Sequence, residues 1–200
     1  MIIIEKARKE DASQIAALHK QGITGGFLSQ QSDSFLTALY EYLIKNEILI
    51  VIKENNKVMG FVSATVTTSG LYKKFLIKNI PLLIKFTLKN ICSFSFFKKS
   101  IETLLSPTKS STGDTELPEL LSIVVDLNSK GKGYGQLLTE ALEKEFLLRE
   151  IKEYKVLVGS ELKANRFYLK NGFIQIKEIE LHKGEKSFIY IKKLVGEKYE

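Results

Sequence analysis

The sequence predicts an α/β fold, a mixed central sheet with helices on both faces, and three observations carry that prediction. Segments of strand character alternate along the chain with segments of helical periodicity, the arrangement that builds layered α/β domains. The run Leu120–Val125 is apolar apart from Ser122 and partly β-branched, as in a strand covered on both faces. A glycine loop, Lys130-Gly-Lys-Gly-Tyr-Gly135, then joins that strand to an amphipathic helix with Leu137, Leu138, Ala141, Leu142 and Phe146 at helical spacing.

Taken in order, Ile2–Ala7 reads as a first strand. Lys9–Gln21 reads as a helix, with Asp11 near its start, where a carboxylate meets the positive end of the helix dipole, and Gly22 at its stop. The pair Gly25-Gly26 marks a bend. Ser32–Lys45 reads as a second helix, with Phe35, Leu36, Leu39, Tyr40 and Leu43 recurring on one face. Ile48–Lys53 and Lys57–Thr67 flank Glu54-Asn55-Asn56, a polar turn that makes them an antiparallel hairpin. After a segment from Ser69 to Leu117 come the strand Leu120–Asp126, the helix Gly133–Arg149 and the strand Tyr154–Val158. A shorter helix, Glu161–Asn171, and a final hairpin, Phe173–Leu181 with Ser187–Leu194 turned at His182–Glu185, complete the order. No internal repeat or low-complexity linker interrupts it. The 200 residues read as a single domain with a helical insertion at about 69–117, large enough to bury roughly 70% of the surface its unfolded chain exposes.

Composition narrows the function classes. An apolar content of 44% and a charged content of 26% are ordinary for a globular protein. Cys92 is the single cysteine, which excludes an internal disulfide, and no Cys/His cluster has structural zinc spacing, so no metal is expected. Cys92 also lacks an accompanying His or Asp motif and is not expected to be a nucleophile. His19, in the first helix, is expected to be an ordinary solvated residue. Charged residues enter at Glu5, Lys6 and Arg8, so no secretory apolar core is expected, and no run approaches about eighteen uninterrupted apolar residues. A cytoplasmic location is the resulting expectation. The net charge of +7 and pI of 9.3 raise nucleic-acid binding, but the lysines of the basic stretch are interleaved with aliphatic residues, so no nucleic-acid partner is expected.

The chemistry concentrates at Lys130–Gly135. Glycines at a helix N-terminus let the backbone approach a bulky anion where unpaired N–H groups and the positive end of the dipole converge. Lys130 and Lys132 add positive charge, which makes a phosphate cradle. Two nucleotide motifs do not fit it. No Gly-Lys-Ser/Thr follows the four-residue gap of a Walker loop. A dinucleotide fingerprint comes early in its βαβ unit and is followed by an acidic residue at the next strand end. Here the loop lies past the midpoint of the chain, and Glu150 and Glu153 fall in a charged helix end.

A second motif follows, Ala164-Asn-Arg-Phe-Tyr-Leu-Lys-Asn-Gly-Phe173, a short helix with a glycine stop. Together the two segments resemble the GCN5-related N-acetyltransferase (GNAT) family. There the pattern Arg/Gln-x-x-Gly-x-Gly/Ala binds the pyrophosphate of acetyl-CoA, and an Ala-x-x-Phe-Tyr-x-x-x-Gly-Phe segment follows. Gly133 and Gly135 match, as do Ala164, Phe167, Tyr168, Gly172 and Phe173; Lys130 stands where the family usually has Arg or Gln, and Glu161 where it often has Asn. The resemblance is specific over Glu119–Phe173, weaker over Ile2–Thr68 and silent over Ser69–Leu117. It implies a GNAT-like fold and an acetyl-CoA-dependent N-acetyltransferase. The implied donor site comprises Ile123, Val124 and Val125 of the strand, Lys130, Gly131, Lys132, Gly133, Tyr134 and Gly135 of the loop, and Asn165.

The resemblance also implies the catalytic groups. Attack on a thioester needs an amine that has lost its proton and a departing thiolate, of reference pKa about 8.5, that gains one. Tyr168 is the expected general acid, because its helix resembles the one whose tyrosine faces the cofactor sulfur; Phe167 is expected in the core. A backbone N–H near Val124 or Val125 is the expected oxyanion donor if the strand splays there. Glu119, at the entry of the strand, stands where family members often carry a glutamate that reaches the acceptor amine through water. It is the expected base, with Glu116 and solvent as alternatives; partial burial would raise its pKa and make it a better base.

The insertion carries most of the charge asymmetry. Eight lysines lie between Leu71 and Lys109 against one acid, Glu102. On a helix, Lys74, Lys78, Lys85 and Lys89 fall within an arc of roughly 60° at about 100° per residue, beside a wide apolar face. An in-plane membrane helix has that pattern, and so does a helix docked on its own sheet with lysines reaching to water. Pro81 starts a new helix within it. A lid or wall over the acceptor pocket is the expectation, with membrane contact the less favoured reading. The expected acceptor is the primary amine of a small molecule, an amino sugar or another metabolite, acetylated by direct attack. A protein N-terminus or lysine is the alternative, and a non-catalytic acyl-CoA-binding or membrane-surface module is the alternative of another class. The acceptor's identity and the oligomeric state, a dimer among the options, are not legible in the sequence.

Overall fold

The computed structural model describes residues 1–68, 71–78, 117–182 and 185–194. A seven-stranded sheet runs through them in the order β1-β2-β3-β4-β5-β7-β6. Its strands are β1 (Ile2–Lys6), β2 (Ile48–Glu54), β3 (Lys57–Thr65), β4 (Glu119–Val125), β5 (Glu153–Gly159), β6 (Ile174–His182) and β7 (Glu185–Lys193). Every neighbouring pair is antiparallel except β4 and β5. The helices are α1 (Ala12–Gly22), α2 (Gly26–Ser29), α3 (Asp33–Asn46), α4 (Leu71–Lys78), α5 (Tyr134–Leu148) and α6 (Ala164–Lys170).

The helices cover both faces of the sheet, as predicted. On one face α1, α3 and α4 bury Ile15, Phe35, Leu39, Tyr40 and Phe75 against Leu49, Val51, Phe61 and Val124. On the other, α5 and α6 bury Leu138, Leu142, Phe146 and Tyr168 against Ile50, Ile52, Leu120, Val156 and Tyr190. This double cover explains why β2 begins with five consecutive aliphatic residues. Leu49 and Val51 point to the first layer and Ile48, Ile50 and Ile52 to the second. Each such side chain, fully buried, contributes roughly 1.5–3 kcal/mol.

Local chemistry sets the connections. Ser32 caps α3 by accepting the Phe35 N–H at 3.2 Å. Asn55 and Asn56 take left-handed φ values of 50° and 63°, the two-residue turn whose twist suits a hairpin. Asp11 accepts from the Lys53 ammonium at 2.8 Å and from the Arg8 N–H at 2.8 Å, tying the start of α1 to β2. In α4, Leu71 and Phe75 are buried, and the Phe75 ring meets Phe35 edge-on at 5.5 Å. The first described helix of the insertion therefore docks on the chain's own core. The remainder of the expected lid, 79–116, lies outside the described residues.

Some expectations need correction. Gly26–Ser29 forms one helical turn instead of a plain bend, and residues 161–163 form a turn ahead of α6 instead of its first turn. His19 is 1% exposed, not solvated, with Nδ1 2.6 Å from the Tyr40 hydroxyl. The reason is tertiary: α1 is covered by the sheet on one side and by α3 on another, so its buried arc is wider than its aliphatic residues show.

Candidate active site

The site originates in the parallel pair of the sheet. β4 and β5 pair only through Glu119–Lys155 and Leu120–Val156, with the Lys155 N–H donating to the Pro118 carbonyl at 2.9 Å. Beyond that rung β4 continues to Val125 and β5 to Gly159 without pairing, so the strands splay into a V-shaped cleft. A bulge marks the point of departure. The register with β3 passes from Ser63–Ser122 to Ala64–Leu120, which leaves Leu121 as an extra residue and bends β4 there. Leu121, Ile123 and Val125 are half-buried, not covered on both faces as expected, because an open edge stands where a neighbouring strand would be. The Asp126 N–H donates to the Met59 carbonyl across β3 at 2.8 Å. Alternation along the strand then turns the Val125 and Ile123 N–H groups towards the cleft.

β4 can lie close to its neighbours because glycines face it. A Cβ on Gly60 would come within 2.9 Å of the Val124 carbonyl oxygen, and one on Gly22 would overlap the Val124 side chain.

At the open end of the V, Asp126 accepts the Asn128 N–H at 2.9 Å and caps the 3-10 turn Leu127–Ser129. The chain then enters the glycine loop. Gly131 and Gly133 hold φ of +83° and +79°, the left-handed region where a side chain is strained, and Gly133 is the N-cap of α5. A Cβ on either meets nothing within 4 Å, so the cradle is open. Gly135 is required for another reason, since a Cβ there would approach the Phe167 ring at 3.1 Å. No side chain caps α5, which leaves the N–H groups of Tyr134, Gly135 and Gln136 directed out of its first turn. The Tyr134 ring itself is buried in the core, so its contribution to the cradle is this N–H. Lys130 and Lys132 are exposed beside it, and the Ser129 hydroxyl is buried without a partner. Free N–H donors, a helix dipole and two lysines suit a pyrophosphate, and so fit acetyl-CoA.

Behind the cleft, Tyr168 is 4% exposed, stacked on Tyr190 with ring centres 6.0 Å apart and edge-on to Phe173 at 5.1 Å. Burial pushes its pKa well above the ordinary 10, so the phenol stays protonated at neutral pH. Phe167 packs against the same cluster, as expected. Asn165, expected to contact the donor, has its amide occupied within the protein. Nδ2 donates to the carbonyls of Gly159 (2.9 Å), Ser160 (2.9 Å) and Leu162 (2.8 Å), and Oδ1 accepts from the Tyr190 hydroxyl at 2.9 Å. It ties the end of β5 to α6, which positions Tyr168.

At the closed end of the V stands Glu119, half-buried, with Oε2 3.6 Å from the Lys155 ammonium. Burial pushes its pKa up and Lys155 pulls it partly back, with a net rise above the ordinary carboxylate value. The alternative base, Glu116, lies outside the described residues. Lys155 was not singled out from the sequence. Its signal is a lysine between Tyr154 and Val156 in a strand otherwise expected to be buried. A shallow depression of about 590 Å³ lined by Leu117, Pro118, Ile151, Glu153 and Lys193 opens at the strand starts, not between β4 and β5.

A splayed parallel pair under a glycine-lipped helix N-terminus, with a tyrosine helix behind it, is the arrangement that the resemblance to N-acetyltransferases implies. Residues 111–194 match the family model of the acetyltransferase (GNAT) domain. That segment, which holds β4, β5, the glycine loop and α6, matches a GNAT acetyltransferase domain and supports an acetyl-CoA-dependent N-acetyltransferase. Among solved structures it is similar to a GNAT-family protein from Desulfovibrio desulfuricans, at 12% identity and a TM-score of 0.64, covering 98% of this chain and 100% of that one. It is also similar to the ribosomal-protein-S18-alanine N-acetyltransferase from Escherichia coli, at 14% identity and 0.60, covering 100% and 99%. A third is the PaiA N-acetyltransferase from Thermoplasma acidophilum in complex with coenzyme A, at 14% identity and 0.56, covering 96% and 99%. At these identities the likeness establishes the fold. No curated protein matches the chain. No helix among the described residues is long and apolar enough to cross a membrane.

Proposed function

We propose that this enzyme transfers the acetyl group of acetyl-CoA to the primary amine of a small molecule by direct attack, with Glu119 as base and Tyr168 as acid, in the cytoplasm. The splay of β4 from β5 beyond Leu120 and Val156 carries the reading. It leaves one cleft with an anion cradle at its open end and a carboxyl of raised pKa at its closed end. In this reading the pyrophosphate takes the N–H groups at Gly133–Gln136 and the charges of Lys130 and Lys132. The pantetheine arm follows the free edge of β4, whose stretch Leu121–Val125 spans about 13 Å at roughly 3.3 Å per residue.

The proton balance assigns the roles. The acceptor ammonium loses one proton to Glu119 and thence to solvent, and its lone pair attacks the thioester carbonyl carbon. The Val125 N–H faces the cleft where the oxyanion develops. As the C–N bond forms and the C–S bond breaks, Tyr168 gives its proton to the departing thiolate and is restored by the second proton leaving the new amide nitrogen. The products are the N-acetyl amine, coenzyme A and one proton. Likeness in fold to a ribosomal-protein-S18-alanine N-acetyltransferase favours a protein N-terminus as the second reading.

A screen of small amines, amino sugars and N-terminal peptides for acetyl-CoA-dependent thiol release separates the two. Small amines are expected as substrates; turnover of peptides alone would reverse the choice. Tyr168→Phe is expected to lower kcat by about 10²–10⁴-fold with acetyl-CoA affinity nearly intact. Glu119→Gln is expected to remove the low-pH limb of kcat/KM. That limb lies above the ordinary carboxylate range, because a raised pKa keeps the base protonated, and inactive, to higher pH. Wild-type turnover by Tyr168→Phe, with chemistry rate-limiting, would return the tyrosine to packing alone.

A further inference from the structure

We propose that Glu119 and Lys155 together read a zwitterion. The acceptor is a primary amine with an anionic group on a neighbouring carbon, its ammonium on the Glu119 carboxylate and its anion on the Lys155 ammonium. This rests on the small-molecule reading above and names its substrate class.

The ion pairs Lys53–Asp11 (2.8 Å), Lys192–Glu143 (2.6 Å) and Lys6–Glu145 (3.0 Å) close to hydrogen-bond distance. Glu119–Lys155 stays at 3.6 Å, with the two side chains 20% and 21% exposed. The exposed surface pair Lys9–Glu41 is as long, at 3.6 Å, but the cleft pair keeps that separation while mostly buried. Its members sit opposite one another on the first of the two paired rungs, one residue before the strands part, so both side chains lie on one face at the closed end of the cleft. An ammonium has three donors and a carboxylate about four acceptor positions. Neither side chain has a second polar partner among the described residues, so the pair retains capacity for a ligand of the same paired charge.

Among the described residues, the surroundings suit a ligand that brings one charge of each sign. Along the same face β5 continues with Leu157, and β7 presents Ile191 and Ile189 opposite Lys155 and Leu157; all three are half-buried and outside both core clusters. They form an apolar floor for a carbon skeleton. Across β3 the neighbour of Glu119 is Thr65, and the other charged groups that the described residues bring to this edge are Glu47, near Thr65, with Lys74 of α4 and Arg149 near Glu47. An acceptor with a cationic amine alone would meet Lys155 as a like charge, in a chain already carrying +7. A zwitterion brings its own compensation. It also acts on the base. Lys155 holds the Glu119 pKa down against burial, so an anion that draws Lys155 away strengthens Glu119 only when the matching acceptor is bound.

The test uses the full-length enzyme with saturating acetyl-CoA and matched acceptors: leucine against isopentylamine, and phenylalanine against phenethylamine. The wild type is expected to favour the member bearing the anion by about tenfold or more in kcat/KM, as for a hydrogen bond to a charged group. Lys155→Met is expected to raise KM for that member about tenfold relative to its anion-free partner, and to move the low-pH limb upward for both; Lys155→Arg is expected to restore the preference. Amine acetylation without the preference, or an equal loss on both members in Lys155→Met, overturns this inference and leaves the small-molecule reading standing. Acetylation of peptides alone overturns both. Persistence of the low-pH limb in Glu119→Gln removes the base assignment and with it the Glu119 half of the pair.

Discussion

Gly133, the N-cap of α5, holds a left-handed φ of +79°, and no atom lies within 4 Å of where its Cβ would stand. Gly133→Val is therefore expected to fail through backbone strain in the cradle, not through a clash. Acetyl-CoA at about a hundred times Kd should stabilise the wild type by roughly 2.7 kcal/mol. Loss of that thermal shift in the variant checks the assignment, and an unchanged shift would place the donor elsewhere. His19 makes a separate prediction. Burial lowers its pKa from 6.5 to about 4, and Nε2 has no partner. The folded state thus refuses a proton that the unfolded state accepts. The stability contribution is complete above pH 6.5 and is lost as pH falls towards 4, on the order of 3 kcal/mol. Denaturant unfolding at pH 7 and pH 4.5 should show a steeper loss in the wild type than in His19→Gln; parallel losses would mean that another group governs this range.

The elements divide into those that hold the molecule together and those that shape the cleft, and paired substitutions separate them. Ser32→Ala removes the cap of α3 and should cost about 1 kcal/mol without changing acetyl-CoA affinity, because α3 packs on the face remote from the glycine loop. Gly60→Ala drives a methyl group towards the Val124 carbonyl, 2.9 Å away. It should cost about 1–3 kcal/mol and also weaken acetyl-CoA binding, since it displaces the strand whose free edge lines the cleft. Isothermal titration of both variants checks the contrast. Equal affinities would mean that β4 absorbs the shift without moving its open edge.

For the molecule as a whole, the lysine-rich insertion sets the remaining expectation. Each lysine at an anionic membrane surface contributes about 1 kcal/mol, so a surface-bound protein would co-sediment with anionic vesicles and release them as salt rises. No co-sedimentation at physiological salt is expected, in keeping with Leu71 and Phe75 of α4 being buried in the chain's own core. Salt-sensitive binding to anionic but not neutral vesicles would overturn the lid reading. Much of the fold was legible because local chemistry repeats in sequence. The aliphatic run of β2, the Asn-Asn turn and the glycines before α5 each name their element from nearby residues alone. The same holds for the cradle, whose left-handed glycines and free N–H groups are properties of one loop. The rest depended on residues distant in sequence. The burial of His19 under α3, the occupation of the Asn165 amide by the end of β5 and by Tyr190, and the meeting of Glu119 with Lys155 all arise where separate elements come together. Composition and periodicity specify which face of an element is apolar. Only the tertiary structure decides which polar side chain on that face finds a partner, because the partner belongs to another element.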